Sequence, residues 1–133
     1  FYGFPYKHAN SIPDPEFGQL NPGYDFINPI NELGAHVAPT GIAFYKGEMF
    51  PQFNNNLFVT LHGSWNRSSK VGYKVIRVIL DKNGEVIEKK DFITGWLKDG
   101  KVSGRPSSAF VMSDGSLLIS DDKANIIYRV TQS

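Results

Sequence analysis

From residue 39 onward, apolar and polar positions follow the pattern of β-strands. TGIAFY (residues 40–45) and NLFVTL (56–61) are short apolar runs rich in β-forming side chains, joined by the turn-rich KGEMFPQFNN. YKVIRVIL (73–80) alternates apolar and charged residues, as a half-buried strand does. Asp81-Lys82-Asn83-Gly84 supplies an Asn-Gly turn. EVIEKKDFIT (85–94) reads as an outer strand whose charges discourage edge pairing. The order then restarts with SSAFVM (107–112), a turn, SLLISDD (116–122), a turn at Lys123-Ala124-Asn125, and IIYRVTQ (126–132).

The two halves can be laid on each other. Pro39-Thr-Gly-Ile-Ala-Phe matches Pro106-Ser-Ser-Ala-Phe-Val, Asn56-Leu-Phe-Val matches Ser116-Leu-Leu-Ile, and Val75-Ile-Arg-Val matches Ile127-Tyr-Arg-Val. Four antiparallel strands recurring at about 40–50 residues are the signature of propeller blades. The expected fold is therefore all-β, with about two blades, the second ending before its fourth strand. Two unrelated β-meanders are the alternative. Residues 1–38 read as a loop-rich segment, because Pro5, Pro13, Pro15, Pro22 and Pro29 each remove a donor and restrict the residue before them. Residues 39–104 read as the first blade and its linker, and 105–133 as the incomplete second blade of a single-domain fragment.

Composition narrows the function classes. The chain has 133 residues, 41% of them hydrophobic and 14% aromatic, enough to build a core. A net charge of +1 favours neither nucleic acid nor an anionic membrane as partner. No cysteine is present, which excludes disulfides, thiolate catalysis and cysteine metal sites. No run is long and apolar enough for a membrane span, and no signal peptide is visible. The chain opens on FYGFPY without an initiator Met, which reads as a processed chain or a piece of a longer one.

The stretch TLHGSWNRSSKVGYKVIRV (60–78) places a polar and aromatic insert between two strands where a hairpin needs only a short turn. His36 precedes the first inner strand, His62 ends the second strand, and Arg105 precedes the next inner strand. If the halves superpose, these three line one end of the propeller axis. Such a rim suits a multiply charged anion, since Arg can grip a carboxylate bidentately. Each residue also has a plain reading: a hydrogen-bonded loop histidine, a turn cap and a surface arginine. Trp65 reads as a packing residue, with stacking on a ligand as the alternative, and Asn66 and Arg67 as partners of the loop backbone. The three histidines show no close metal-ligand spacing, and Asp14, Glu16, Asp121 and Asp122 form no EF-hand pattern.

The opening YGFPYKH…IPDPEFG, the run HVAPTGIAFYKGEMFPQFNNNLFVTLHGSWNRSSKVGYKVIRV and GRPSSAFVMSDGSLLISDD together resemble the glucose/sorbosone dehydrogenase family, in order and over nearly the whole chain. Its members are soluble six-bladed β-propellers that oxidise aldose sugars with pyrroloquinoline quinone (PQQ) and calcium. The resemblance is to the family's C-terminal portion. It implies a partial six-bladed propeller whose catalytic base and calcium loop lie outside these residues. It also implies that His62 faces the PQQ carboxylates, that Arg105 contacts the same cofactor, and that His36 lines the pocket. Arg67 is carried over with them as a further cofactor contact, without an assigned partner. None of the histidines matches the catalytic one. Lys7 stands where many relatives carry a Cys, and Ser107-Ser108 where small apolar residues are common.

The family implies an aldose substrate and a periplasmic or secreted location. The expectation is a contributor to a cofactor pocket, inactive alone. The alternative is a self-assembling propeller fragment, a homo-oligomer through exposed blade faces, that binds sugar or an anion or serves structurally. A calcium-dependent lactonase-like propeller is a further reading, and it predicts axial carboxylates instead of His and Arg.

Overall fold

The computed structural model describes residues 1–20 and 22–132. They form two compact units, the first Phe1–Leu33 and the second beginning at Gly34.

In the first unit, β1 (Lys7–His8) pairs antiparallel with β2 (Ile12–Pro13). The rest is loop, held by local polar contacts. The Asp14 carboxylate accepts the N–H groups of Glu16 and Phe17 at 2.9 Å each, and His8 Nε2 lies 2.8 Å from it. The Phe17 N–H, then the His8 side chain and the Glu16 N–H, hold Asp14 below the usual carboxylate range. Lys7 Nζ donates to Asn28 Oδ1 at 2.8 Å and sits 5.0 Å from the centre of the Phe26 ring. That ring stacks on Tyr6.

In the second unit, β3 (Pro39–Phe44), β4 (Asn56–Leu61), β5 (Lys74–Leu80) and β6 (Val86–Ile93) form an antiparallel sheet in chain order. A small hairpin follows, β7 (Leu97–Lys98) with β8 (Lys101–Val102). Next, β9 (Pro106–Val111), β10 (Leu117–Asp121) and β11 (Ile126–Val130) form a three-stranded sheet with β10 in the middle. Every strand expected after residue 39 is found, within two residues of its expected bounds. The β1–β2 and β7–β8 pairs were not expected, because two residues per strand leave no period to read. Among the described residues the only helical turn is the 3-10 segment Pro51–Phe53. The chain is all-β, as expected.

The core lies where the two sheets meet. Phe58 and Val75 from the first sheet and Ala109, Leu117 and Ile119 from the second are buried in one cluster with Tyr45, Phe50, Tyr73 and Trp96. Phe58 packs on Phe92 with ring centres 4.5 Å apart. Tyr45 is fully buried, yet its hydroxyl is satisfied: it donates to the Gly115 carbonyl at 2.7 Å and accepts the Phe50 N–H at 3.0 Å. It thereby stitches the first sheet to the β9–β10 turn. The inner strands β3 and β9 come close at Gly41, where a Cβ would stand 2.8 Å from the Ser107 carbonyl oxygen and 2.7 Å from Ser108 Cα. No residue larger than glycine fits there without displacing backbone.

Candidate functional site

Antiparallel pairing brings the start of β3 beside the end of β4, and the start of β9 beside the end of β10. The β3–β9 contact then places both junctions at the same end of the sheet pair. Just inside it lies a layer of hydroxyls. Thr40 Oγ1 and Thr60 Oγ1 both donate to the Ser107 carbonyl, at 2.8 and 3.1 Å, and Ser107 Oγ meets Ser120 Oγ at 3.0 Å. Ser107 thus has a physical use where an apolar residue would have none.

Above this layer stand Arg105 and His62. The Arg105 side chain donates to three successive carbonyls of the long loop: Nε to His62 at 3.1 Å, and Nη2 to Gly63 at 2.6 Å and Ser64 at 3.2 Å. Its guanidinium lies 5.4 Å from the centre of the Tyr73 ring. Tyr73 in turn donates its hydroxyl to the Ser64 carbonyl. Gly63, with φ 96°, lies flat against Tyr73, and a Cβ there would be 2.6 Å from ring atoms. The loop is pinned from the other side as well, since His62 and Gly63 donate to the carbonyls of Ala38 and Val37 at 2.9 Å each. Nη1 of Arg105 makes no hydrogen bond among the described residues.

The turn between β10 and β11 holds both groups. Asp121 is buried, and its Oδ1 accepts N–H groups from Arg105 at 2.8 Å, Ala124 at 2.9 Å and Lys123 at 3.2 Å. Burial pushes its carboxyl up, but the Arg105 and Ala124 N–H groups, the Trp96 side chain and the Lys123 N–H outweigh it, leaving the group below the usual range. Asp122, the next residue, places Oδ1 and Oδ2 at 2.9 and 3.0 Å from His62 Nε2.

The family model for TrAA12-like proteins matches residues 23–133. The chain belongs to the TrAA12-like family. An uncharacterized protein of Borreliella burgdorferi is 44% identical over 97% of this chain, which spans 35% of that protein. The PQQ domain of pyranose dehydrogenase from Coprinopsis cinerea superposes with a TM-score of 0.65 at 27% identity, over 80% of this chain and 30% of that one. A 52-residue segment is 42% identical to the PQQ-dependent pyranose dehydrogenase of the same organism, covering 39% of this chain and 6% of that protein. A calcium structure of the Trichoderma reesei family AA12 enzyme superposes with a TM-score of 0.70 over 99% of this chain and 38% of that one, at 22% identity, a likeness of fold. The chain thus spans about a third of the length of the Borreliella burgdorferi protein.

Of the residues singled out in this TrAA12-like chain, the structure brings His62 and Arg105 together. His36 is exposed, with φ 66°, at the edge of the segment whose carbonyls hold the long loop. Arg67 is exposed, and neither it nor His36 has a side-chain partner among the described residues. Trp65 is not a packing residue: it is 86% exposed, because Gly63 and Ser64 turn inward beside it and Tyr73 fills the core position instead. No group of three or more His, Asp or Glu able to hold a metal ion exists among the described residues. Two partners escaped the sequence reading. Asp122 was weighed only as a calcium oxygen, and the hydroxyl layer was not foreseen. The signal was in the repeat: extending the alignment by a few residues sets Thr40 against Ser107, Thr60 against Ser120, and His62 against Asp122.

Proposed function

We propose that this chain forms one wall of a PQQ pocket in a sugar dehydrogenase, and that it is inactive toward aldoses alone. The reading takes the two sheets as adjacent blades of a six-bladed propeller, with Arg105, His62, His36 and Arg67 at the axial end. The observation that carries it is the meeting of Arg105 and His62 at one end of the sheet seam, each with a guanidinium or ring nitrogen that has no hydrogen bond among the described residues. PQQ is a tricarboxylate, and such nitrogens on a guanidinium and an imidazole fit its carboxylates. When bound, PQQ would supply the hydride-accepting chemistry of sugar oxidation. The chain's residues bind and orient it: Arg105 supplies charge while fixing residues 62–64, and Thr40, Thr60 and Ser107 make a rigid polar floor. Calcium ligands, the catalytic base, the aldose site and a secreted or periplasmic location belong to this reading through the family resemblance. Among the described residues, no helix is long and apolar enough to cross a membrane.

The test is a titration of the chain with PQQ, with and without calcium, followed by the quinone's absorption and by thermal unfolding. Saturable binding that weakens on the order of tenfold or more in His62→Ala and Arg105→Ala is expected, since lost contacts to charged groups cost about 1.5–3 kcal/mol. Absence of saturable binding by the folded chain refutes the reading for this chain.

A further inference from the structure

The pair His62–Asp122 lies at the surface, with side chains 20% and 60% exposed. An ion pair so exposed adds about 0–1 kcal/mol to stability. The fold therefore gains little from it, yet its mounting is rigid on both sides. His62 has its N–H on Ala38 and its carbonyl on Arg105, so its backbone cannot drift. Asp122 follows Asp121, whose carboxylate locks the turn through the Lys123 and Ala124 N–H groups and ties it to the Arg105 N–H. The one remaining freedom of His62 is the setting of its ring, and the Asp122 carboxylate removes it by closing on Nε2 with both oxygens.

We propose that Asp122 is the positioning residue of His62, fixing the ring with its proton on Nε2 and leaving Nδ1 as the nitrogen that meets the ligand. The chemistry follows from donor types. A carboxylate only accepts, so Nε2 must carry hydrogen. In the neutral ring Nδ1 is then bare, and it becomes a donor to an anion once the ring is protonated. Asp122 thereby selects both orientation and tautomer, as carboxylates behind metal-binding histidines do. The equivalence of the two positions in the repeat gives the pair its geometry, since each directly follows the second strand of its own sheet. The ligand, though not the ring setting, rests on the PQQ reading above.

Long-range ¹H–¹⁵N spectra of the ligand-free chain read the ring directly, with His62→Gln assigning its signal among the three histidines. Neutral His62 should show protonated Nε2 and bare Nδ1. Asp122→Ala should release this preference, while Asp122→Asn, which keeps an acceptor, should restore it; backbone amide spectra confirm that both variants fold. A proton on Nδ1 in the parent chain, or an unchanged ring in Asp122→Ala, overturns the proposal. PQQ titration supplies the second arm. Asp122→Ala should weaken binding about 10–100-fold, the range seen when such supporting partners are removed. In the His62→Ala background it should have no further effect, and independent losses overturn the proposal. If the parent chain binds no PQQ, the cofactor reading falls, while the ring spectra still decide the role of Asp122.

Discussion

The two sheets of the second unit start alike and end their second strands differently. Beyond β4 the chain wanders through residues 62–73, with an exposed Trp and Arg at the tip. Beyond β10 it turns back within residues 122–125. The long connection has few anchors of its own: Ser64 pairs with Val71 through its N–H and its hydroxyl, and Tyr73 closes on Ser64. The short one is tied by a buried carboxylate. The short connection and the arginine after the β7–β8 hairpin hold the long one in place, through Asp122 on His62 and Arg105 on residues 62–64. The lesson is a division of labour between repeats. One copy keeps the compact turn and becomes the mount; the other lengthens the same place and becomes the mounted loop.

The most forceful way to break this comparison is to ask whether the sheets unfold together. Phe58→Ala in the first sheet should cost about 3–5 kcal/mol and Leu117→Ala in the second about 2–5 kcal/mol, both by opening the shared core. Calorimetry should show one transition moving in both variants. Two separable transitions would mean that the sheets are independent and that the mount cannot hold the loop.

A smaller effect sharpens the contrast at the mount. Asp121→Ala should cost about 1.5–3 kcal/mol, since it strips a charged acceptor from part-buried N–H groups. Hydrogen exchange should then quicken at Ala124 and Arg105. The folded carboxyl of Asp121 is held below its unfolded value of 3.8. The stability it adds is therefore present above that value and is lost as pH falls through the lower folded value. The parent chain should lose this increment below about pH 4, whereas the variant should not. Parallel acid melts of the two proteins would sink the idea.

The smallest effect is expected at the mounted loop. Trp65→Ala removes a large side chain that touches little, so stability should move by less than about 0.5 kcal/mol. A loss of several kcal/mol in denaturant unfolding would restore Trp65 to the core.

The strands were legible because most run five residues or more, as short apolar runs or with apolar and charged residues alternating, and because the same series occurs twice. Asn56–Leu61 was read to the residue. The two-residue pairs, including Lys7–His8 with Ile12–Pro13, carry no period and depend on local hydrogen bonds. The site was half legible. The juxtaposition of His62 and Arg105 could be read because a strand's end is fixed by its pattern, which places them at one end of the sheets. Asp122 could not be assigned from its own surroundings, since SDDKAN looks like any acidic turn. Only the contact between two repeats gives it a partner. Trp65 was misread because large aromatic side chains usually carry core packing, and nothing local says that Tyr73 takes the buried place.

The chain's two tryptophans sit in opposite surroundings. Trp96 is 6% exposed and meets Tyr128 edge-on at 5.6 Å, while Trp65 is 86% exposed. Optically, the molecule therefore carries two emitters of different colour. Trp96 should emit toward the blue and resist an aqueous quencher, and Trp65 should emit toward the red and be quenched readily. Light from one reports on the scaffold, and light from the other on whatever settles over residues 62–73.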